Sequence, residues 1–302
     1  MNPSSTRAPF PIPVVAAGPG SQIEEEHLDY ISMPQGMATY QSPILPEPEE
    51  MRGRDGALRV LRDTEAALQA AVAGQAVAPV SLAGLSEAEL ALVNQVLGEG
   101  EVAARVLPAP GLGEARIQES VFAGVWRVVR TEAHGDECTV HDTIEVGDAP
   151  ALLRAAARAD ALGSRPDLLS APAGVMNAQP ILAELEDQRQ RFGLHAEAER
   201  ARLPAHVVNL SLLPLSPEDI GFLDHVLGTG RVLILSRGYG NCRITNCQVP
   251  HTWRVVYYNS QDTVILNSVE VTELPEVACA AAEDLADSLE RLTEVLAWVA
   301  QG

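Results

Sequence analysis

The stretch Ser236–Val256, SRGYGNCRITNCQVPHTWRVV, decides how the chain is read. Its last four residues, Trp253 to Val256, repeat Trp126 to Val129, and an Arg-Ile pair stands ten residues before each copy, at Arg116-Ile117 and Arg243-Ile244. Working outward, Leu85, Ser86, Val96, Leu97, Gly98, Gly100 and Val102 stand 130 residues before Leu215, Ser216, Val226, Leu227, Gly228, Gly230 and Val232. Identities that keep one register over such a span mark an internal repeat. The offset falls to 127 at WRVV and to 125 where IEVGDAP (144–150) meets VEVTELP (269–275), so the copies differ in the length of two loops.

Each copy then reads as the same series of elements. In the first, Leu58, Leu61, Glu65, Leu68 and Val72 have helical spacing, and a short strand is expected over 77–82. Ser86 with Glu89 three residues later forms a capping box for a helix that stops at Gly98. Extended runs follow at 101–107, 115–122, 125–130 and 139–146, and Pro150 opens a helix to about Ala161. The second copy has a helix over 181–192, a strand over 207–213, and a helix with Ser216 at its N-cap and Pro217 at its first position. Its last element reads as one helix from Pro275 to the end, with Val277, Ala281, Leu285, Leu289, Leu292, Leu296 and Val299 on the apolar stripe. The expected fold class is α+β: two pseudo-symmetric repeats of helix-strand-helix-strands-helix with mixed, largely antiparallel sheets. The expected boundaries are an extended Pro-rich arm over 1–52, a first half over 53–162 and a second over 175–302.

The arm holds nine of the 21 prolines, and a segment so composed cannot bury enough apolar surface to offset its chain entropy. Tyr30, Ile31, Met33, Met37, Tyr40, Ile44 and Leu45 nonetheless make it too apolar for a plain linker. It is read as lying across its own domain, with a strap engaged by a partner as the alternative.

Composition excludes whole classes of function. The formal charge of −20 disfavours nucleic acid and anionic membrane surfaces as partners and suits a basic one. Lysine is absent and every cation is arginine, which removes Schiff-base chemistry, the P-loop lysine and Ser-x-x-Lys acylation. Four scattered cysteines form no disulfide framework. The apolar run near the start is broken by prolines, so neither a signal peptide nor a membrane span is expected, and the protein is read as cytoplasmic.

Function in a duplicated fold is sought where the copies diverge in a loop. The first copy has PAPGLGEA where the second has SRGYGNC, which singles out Gly238, Tyr239, Gly240, Asn241, Cys242 and Arg243. Cys242, Cys247 and His251 have ligand-like C-x4-C-x3-H spacing, but on a strand residues five apart face opposite ways, and no metal or cofactor is assigned. His134, Cys138 and His141 read as a solvated hairpin tip, and Cys279 as helix packing. Glu283, Asp284 and Asp287 form an acidic helix face able to receive a basic segment.

SRGYGNCRI, WRVVYYNSQDTVILN, VEVTELPEVACAAAEDL and LDYISMPQGMATY together resemble the HupH/HyaF/HoxQ family of [NiFe] hydrogenase expression and formation proteins. The resemblance spans the second copy almost throughout, the arm moderately, and the first copy through the repeat. It implies a cytoplasmic chaperone, not an enzyme, that binds the hydrogenase small-subunit precursor during iron-sulfur cluster assembly and before export. Other maturation factors, including a thioredoxin-like protein, are the implied partners. A thiol-dependent cluster or sulfur transfer factor using Cys242, with Cys247 as second thiol, is the alternative, and a structural adaptor between maturation factors is a further one. The family supplies no catalytic residue, so 238–242 carries over only as a signature loop.

Overall fold

The structure, a computed structural model, describes residues 45–47, 49–109, 113–134, 137–161, 171–238 and 240–299. The arm expected over 1–52 lies mostly outside them, as does Tyr239. The first elements are α1 (Asp55–Val72), β1 (Val80–Ser81), α2 (Glu87–Leu97), β2 (Val102–Val106), β3 (Glu114–Glu119), β4 (Val125–His134), β5 (Glu137–Val146) and α3 (Ala151–Asp160). There follow α4 (Ala178–Gly193), α5 (Glu197–Arg200), β6 (His206–Asn209), α6 (Pro217–Leu227), β7 (Val232–Ser236), β8 (Asn241–Asn246), β9 (Thr252–Tyr258), β10 (Val264–Val271) and α7 (Ala282–Val299). The fold is α+β, as its patterning implies.

All ten strands join one antiparallel sheet in the order β1-β5-β4-β3-β2-β7-β8-β9-β10-β6. The order reads alike in both directions from the seam between β2 and β7. There Val102 lies opposite Ser236, Ala104 opposite Ile234 and Val106 opposite Val232.

Side chains alternate across a sheet, and this alternation explains the repeated WRVV. Trp126 and Val128, like Trp253 and Val255, point to one face, where they join Val102, Ala104, Ile117, Ile234, Cys242 and Ile244 in a single core that crosses the seam. Leu153 and Ala156 of α3 and Ala278 close it. Both tryptophans are fully buried, and Trp126 Nε1 donates to the Gly147 carbonyl at 3.0 Å. The opposite face carries two separate cores. One joins α1, α2 and α7 to Val125 and Ile144; the other joins α4 and α6 to Val208, Val269 and Val271.

Both expected helix starts are built as their sequences imply, and each does a second task. The Ser86 and Glu89 capping box closes α2, while Glu89 Oε1 also accepts from the Gly56 N–H at the start of α1. Ser216 and Asp219 cap α6, while Asp219 Oδ1 accepts from the N–H groups of Met176, Asn177 and Ala178 at the start of α4. One carboxylate thus serves two helix ends, whose N–H groups would otherwise lack partners.

Three local expectations change. The buried side of α1 is Ala57, Val60, Leu61, Thr64, Ala67 and Leu68, with Val72 at 43% exposure, because α1 lies between α2 and α7 rather than on the sheet alone. The strand expected over 207–213 turns after Asn209 into a short 3-10 turn, Leu210–Leu212. The helix expected from Pro275 is interrupted: Glu276–Ala278 form a 3-10 turn, Cys279 is extended, and Ala280 N–H donates across to the Asp148 carbonyl at 2.8 Å. A helix could not continue through a residue pinned in that way.

After this break α7 crosses to the first core rather than the second. Leu285 sits where a Cβ on Gly124 would come within 2.7 Å of its side chain, and Gly124 has φ +80. The residue 127 positions later is His251, also at positive φ (+56), whose ring instead lies 5.2 Å from that of Phe192. Glycine leaves room for a crossing helix; histidine fills the matching place. Among the described residues no helix is long and apolar enough to cross a membrane.

Candidate functional site

The turn joining β7 to β8, residues 237–240, does not project freely. Arg237 N–H donates to the Glu101 carbonyl at 3.0 Å, and Arg237 Nη2 reaches the Gly100 carbonyl at 3.4 Å. Gly238 lies so close to Glu101 that an added Cβ would meet Oε2 at 2.1 Å, and Gly240 has φ +103, a conformation that favours glycine. Both glycines are exposed, and Asn241, opposite Tyr258, is half-buried.

Cys242 belongs to β8 rather than to the turn. It is 1% exposed in the core that crosses the seam, and burial pushes its thiol up to about 12, against a hydrogen bond with Tyr257. Burial likewise raises the Tyr257 phenol to about 12. Arg243 points to the other face, its guanidinium 5.3 Å from the centre of the Tyr258 ring. Asn241 and Arg243 therefore stand on the opposite side of the sheet from the Cys242 thiol.

Cys247 lies in the core of α4 and α6, on the other side from Cys242, and burial raises its thiol to about 12 as well. His251 Nδ1 is 3.4 Å from Glu273 Oε1, and Arg200 Nε bonds the same carboxylate. Burial holds the imidazole below its ordinary range, with Glu273 pulling the other way. Cys279 is half-buried, with Arg154 Nη2 4.0 Å from its sulfur, and its thiol too is pushed up to about 12 by burial. Cys138 is exposed on β5. Among the described residues no group of three His, Cys, Asp or Glu is placed to hold a metal ion.

What gathers at the turn is carboxylate. Glu119, at the end of β3, is 6% exposed. Its side chain accepts from the N–H groups of Gly124 and Val102, yet burial raises it to about 7, and the charges of Glu101 and Asp284 push the same way. Glu283, Asp284 and Asp287 are exposed along the start of α7. Carboxylates in a first helical turn also suit the helix dipole, so part of this acidity serves the fold. The structure nonetheless links the two candidate groups, the turn at 238–240 and the acidic helix, through Glu101 and Glu119 at one end of the seam.

Sequence reading missed Glu101 and Glu119, although the repeat held a signal. Their counterparts at offsets 130 and 127 are Arg231 and Asn246, so charge diverges where the backbone agrees. At that other end Asp160 satisfies both: it accepts from Arg231 Nε at 2.6 Å and from Asn246 Nδ2 at 3.0 Å. One end of the seam is closed by a neutralised network and the other is left acidic. With the Cys242, Cys247 and Cys279 thiols pushed up by burial, the acidic end is the part of the site equipped to bind cationic or hydrogen-bond-donating groups.

The family region described as "HupH hydrogenase expression protein, C-terminal conserved region" matches twice, at residues 56–168 and 175–299, and the chain belongs to this family. The chain is 56% identical over 290 residues to the hydrogenase expression/formation protein HoxQ of Cupriavidus necator, covering 96% of this chain and 98% of that one. It is 44% identical to HupH of Rhodobacter capsulatus, covering 95% and 97%, and 31% identical to the hydrogenase-1 operon protein HyaF of Escherichia coli, covering 94% and 95%. Among solved structures, the hydrogenase expression protein HupH from Thiobacillus denitrificans aligns with 40% of this chain and 95% of its own, at 27% identity and a TM-score of 0.36.

Proposed function

We propose that this protein is a cytoplasmic maturation chaperone. It binds the [NiFe] hydrogenase small-subunit precursor during iron-sulfur cluster assembly, before export, and works beside other maturation factors, a thioredoxin-like protein among them. The observation that carries the reading is the acidic end of the seam, where the turn at 238–240, Glu101, Glu119 and Asp284 converge. A basic client segment would find complementary charge there. We also infer that residues 53–162 and 175–302 are two copies of one unit, a reading supported by the symmetric strand order and the double family match.

Burial of Cys242 weighs against the transfer alternative, since the thiolate is the reactive form and a thiol near 12 is scarcely ionised at neutral pH. The test is affinity capture from hydrogenase-producing cells, with bound proteins identified by mass spectrometry and iron and sulfide assayed. Wild type and Cys242→Ser are expected to retain the small-subunit precursor. The triple variant Glu283→Arg, Asp284→Arg, Asp287→Arg is expected to lose at least tenfold. Undiminished capture by the triple variant would reject the acidic helix as the client surface, and failure of the wild type to retain the precursor, or stoichiometric iron that disappears in Cys242→Ser, would reject the chaperone reading.

A further inference from the structure

The helices on the two-core face stand over the outer strands, α1 on β1 and β5, and α4 on β10 and β6. Between them, strand alternation and pairing register turn one set of central side chains to that face. Its cations are Arg105, Arg116 and Arg243, with Arg127 and Arg254 toward the flanking helices, where Asp142 and Asp224 pair with them; Glu114 is its acid, 4.0 Å from Arg105, and Leu233, Leu235, Val256 and Tyr258 are among its apolar members. Arg105 and Arg116 lie directly opposite one another on β2 and β3. In a chain of net charge −20, this is a local basic strip with an apolar floor.

Leu233 is 6% and Val256 9% exposed, yet neither belongs to any of the three cores formed among the described residues. Apolar side chains in the middle of a sheet face need cover. We infer that this strip seats the chain's own N-terminal segment, residues 24–40.

Three observations commit the strip to that occupant. The segment EEEHLDYISMPQGMATY begins with Glu24, Glu25 and Glu26, adds Asp29, and continues with Tyr30, Ile31, Met33, Met37 and Tyr40. Acid followed by apolar and aromatic residues is the complement of arginine beside Leu233, Val256 and Tyr258. The chain re-enters the described fold at Leu45, and Met51 is buried in the core with α1, at the edge of the same face. From β5 to β8 is five strand spacings, about 24 Å, while twenty extended residues span about 66 Å. Reach therefore sets no obstacle.

Because the chain contains no lysine, a single substitution creates a unique side-chain amine on the strip. Full-length proteins bearing Arg116→Lys, and separately Arg243→Lys, are treated with a zero-length carbodiimide, which condenses the amine with a nearby carboxylate and releases water as the urea. The cross-links are then mapped by mass spectrometry. An isopeptide bond from position 116 or 243 to Glu24, Glu25, Glu26 or Asp29 is expected, within one chain and independent of protein concentration. It should fall at least fivefold when Glu24, Glu25 and Glu26 are changed to Gln. Bonds only to carboxylates of neighbouring strands would overturn the inference, as would bonds only between two chains, which would make a second copy the occupant.

Discussion

Asp160, the last residue of α3, holds Arg231 at the start of β7: its carboxylate accepts from the Arg231 backbone N–H and from Nε, both at 2.6 Å. It also accepts from Asn246 Nδ2 at 3.0 Å, while Asn246 Oδ1 takes the Val232 N–H at 2.8 Å. A helix that follows the first five strands is thereby fastened to two strands of the second five. Burial alone would raise the Asp160 carboxyl, but the hydrogen bonds and charge of Arg231 and Asn246 outweigh it and hold the carboxyl below its usual range.

Removing that carboxylate leaves the Arg231 guanidinium, 16% exposed, without its charged partner. Asp160→Ala is expected to cost about 3–5 kcal/mol in urea unfolding. Because the folded state lowers this acid's pKa, its contribution is complete above the unfolded value near 3.9 and fades as pH falls through the folded one. The stability gap between wild type and variant should narrow below about pH 4, and a gap that stays constant to pH 2 would disprove the assignment.

Glu119 has the opposite sign. Its folded value of about 7 exceeds the unfolded value near 4.3, so the folded state binds a proton that the unfolded state has released. Wild-type stability should therefore decline as pH rises between those values, by about 4 kcal/mol in all at roughly 1.36 kcal/mol per unit, and then level off. Glu119→Gln should flatten that slope and be more stable than wild type above pH 7. Chemical denaturation at a series of pH values decides this, and an unchanged slope in the variant would refute it.

The thiols should separate by environment. Cys138 is exposed, whereas burial holds Cys242, Cys247 and Cys279 near 12, leaving on the order of one thiolate in ten thousand at pH 8. Iodoacetamide on the native protein should label Cys138 first, and the other three at least a hundredfold more slowly, reaching full labelling in denaturant. Mass spectrometry of timed samples reads this directly, and native labelling of Cys242 at the rate of Cys138 would reopen a transfer role for it.

The elements that sequence reading located best are those whose signals are local. Ser86 with Glu89, and Ser216 with Asp219, announce helix starts because capping uses residues three apart. The paired WRVV segments announce equivalent strands because alternation puts each tryptophan on the same face. Where α1 presents its apolar side could be misjudged by one position, since its periodicity does not say that α2 and α7 flank it. The site was half legible: GYGNC marks a turn, but Glu101 and Glu119 are ordinary acids until folding places them beside Gly238 and Asp284.

By itself the sequence determined the order of elements, their caps, the repeated strand pattern and the exclusion of lysine chemistry, because each depends on residue type and short spacing. Tertiary structure alone decided that β2 and β7 join the strands into one sheet, and that α7 leaves its own strands for the core beside Gly124. It also decided which thiols are buried and which end of the seam is acidic. Those outcomes depend on which surfaces meet across long chain separations, and a stripe of apolar residues carries no record of the partner that will cover it.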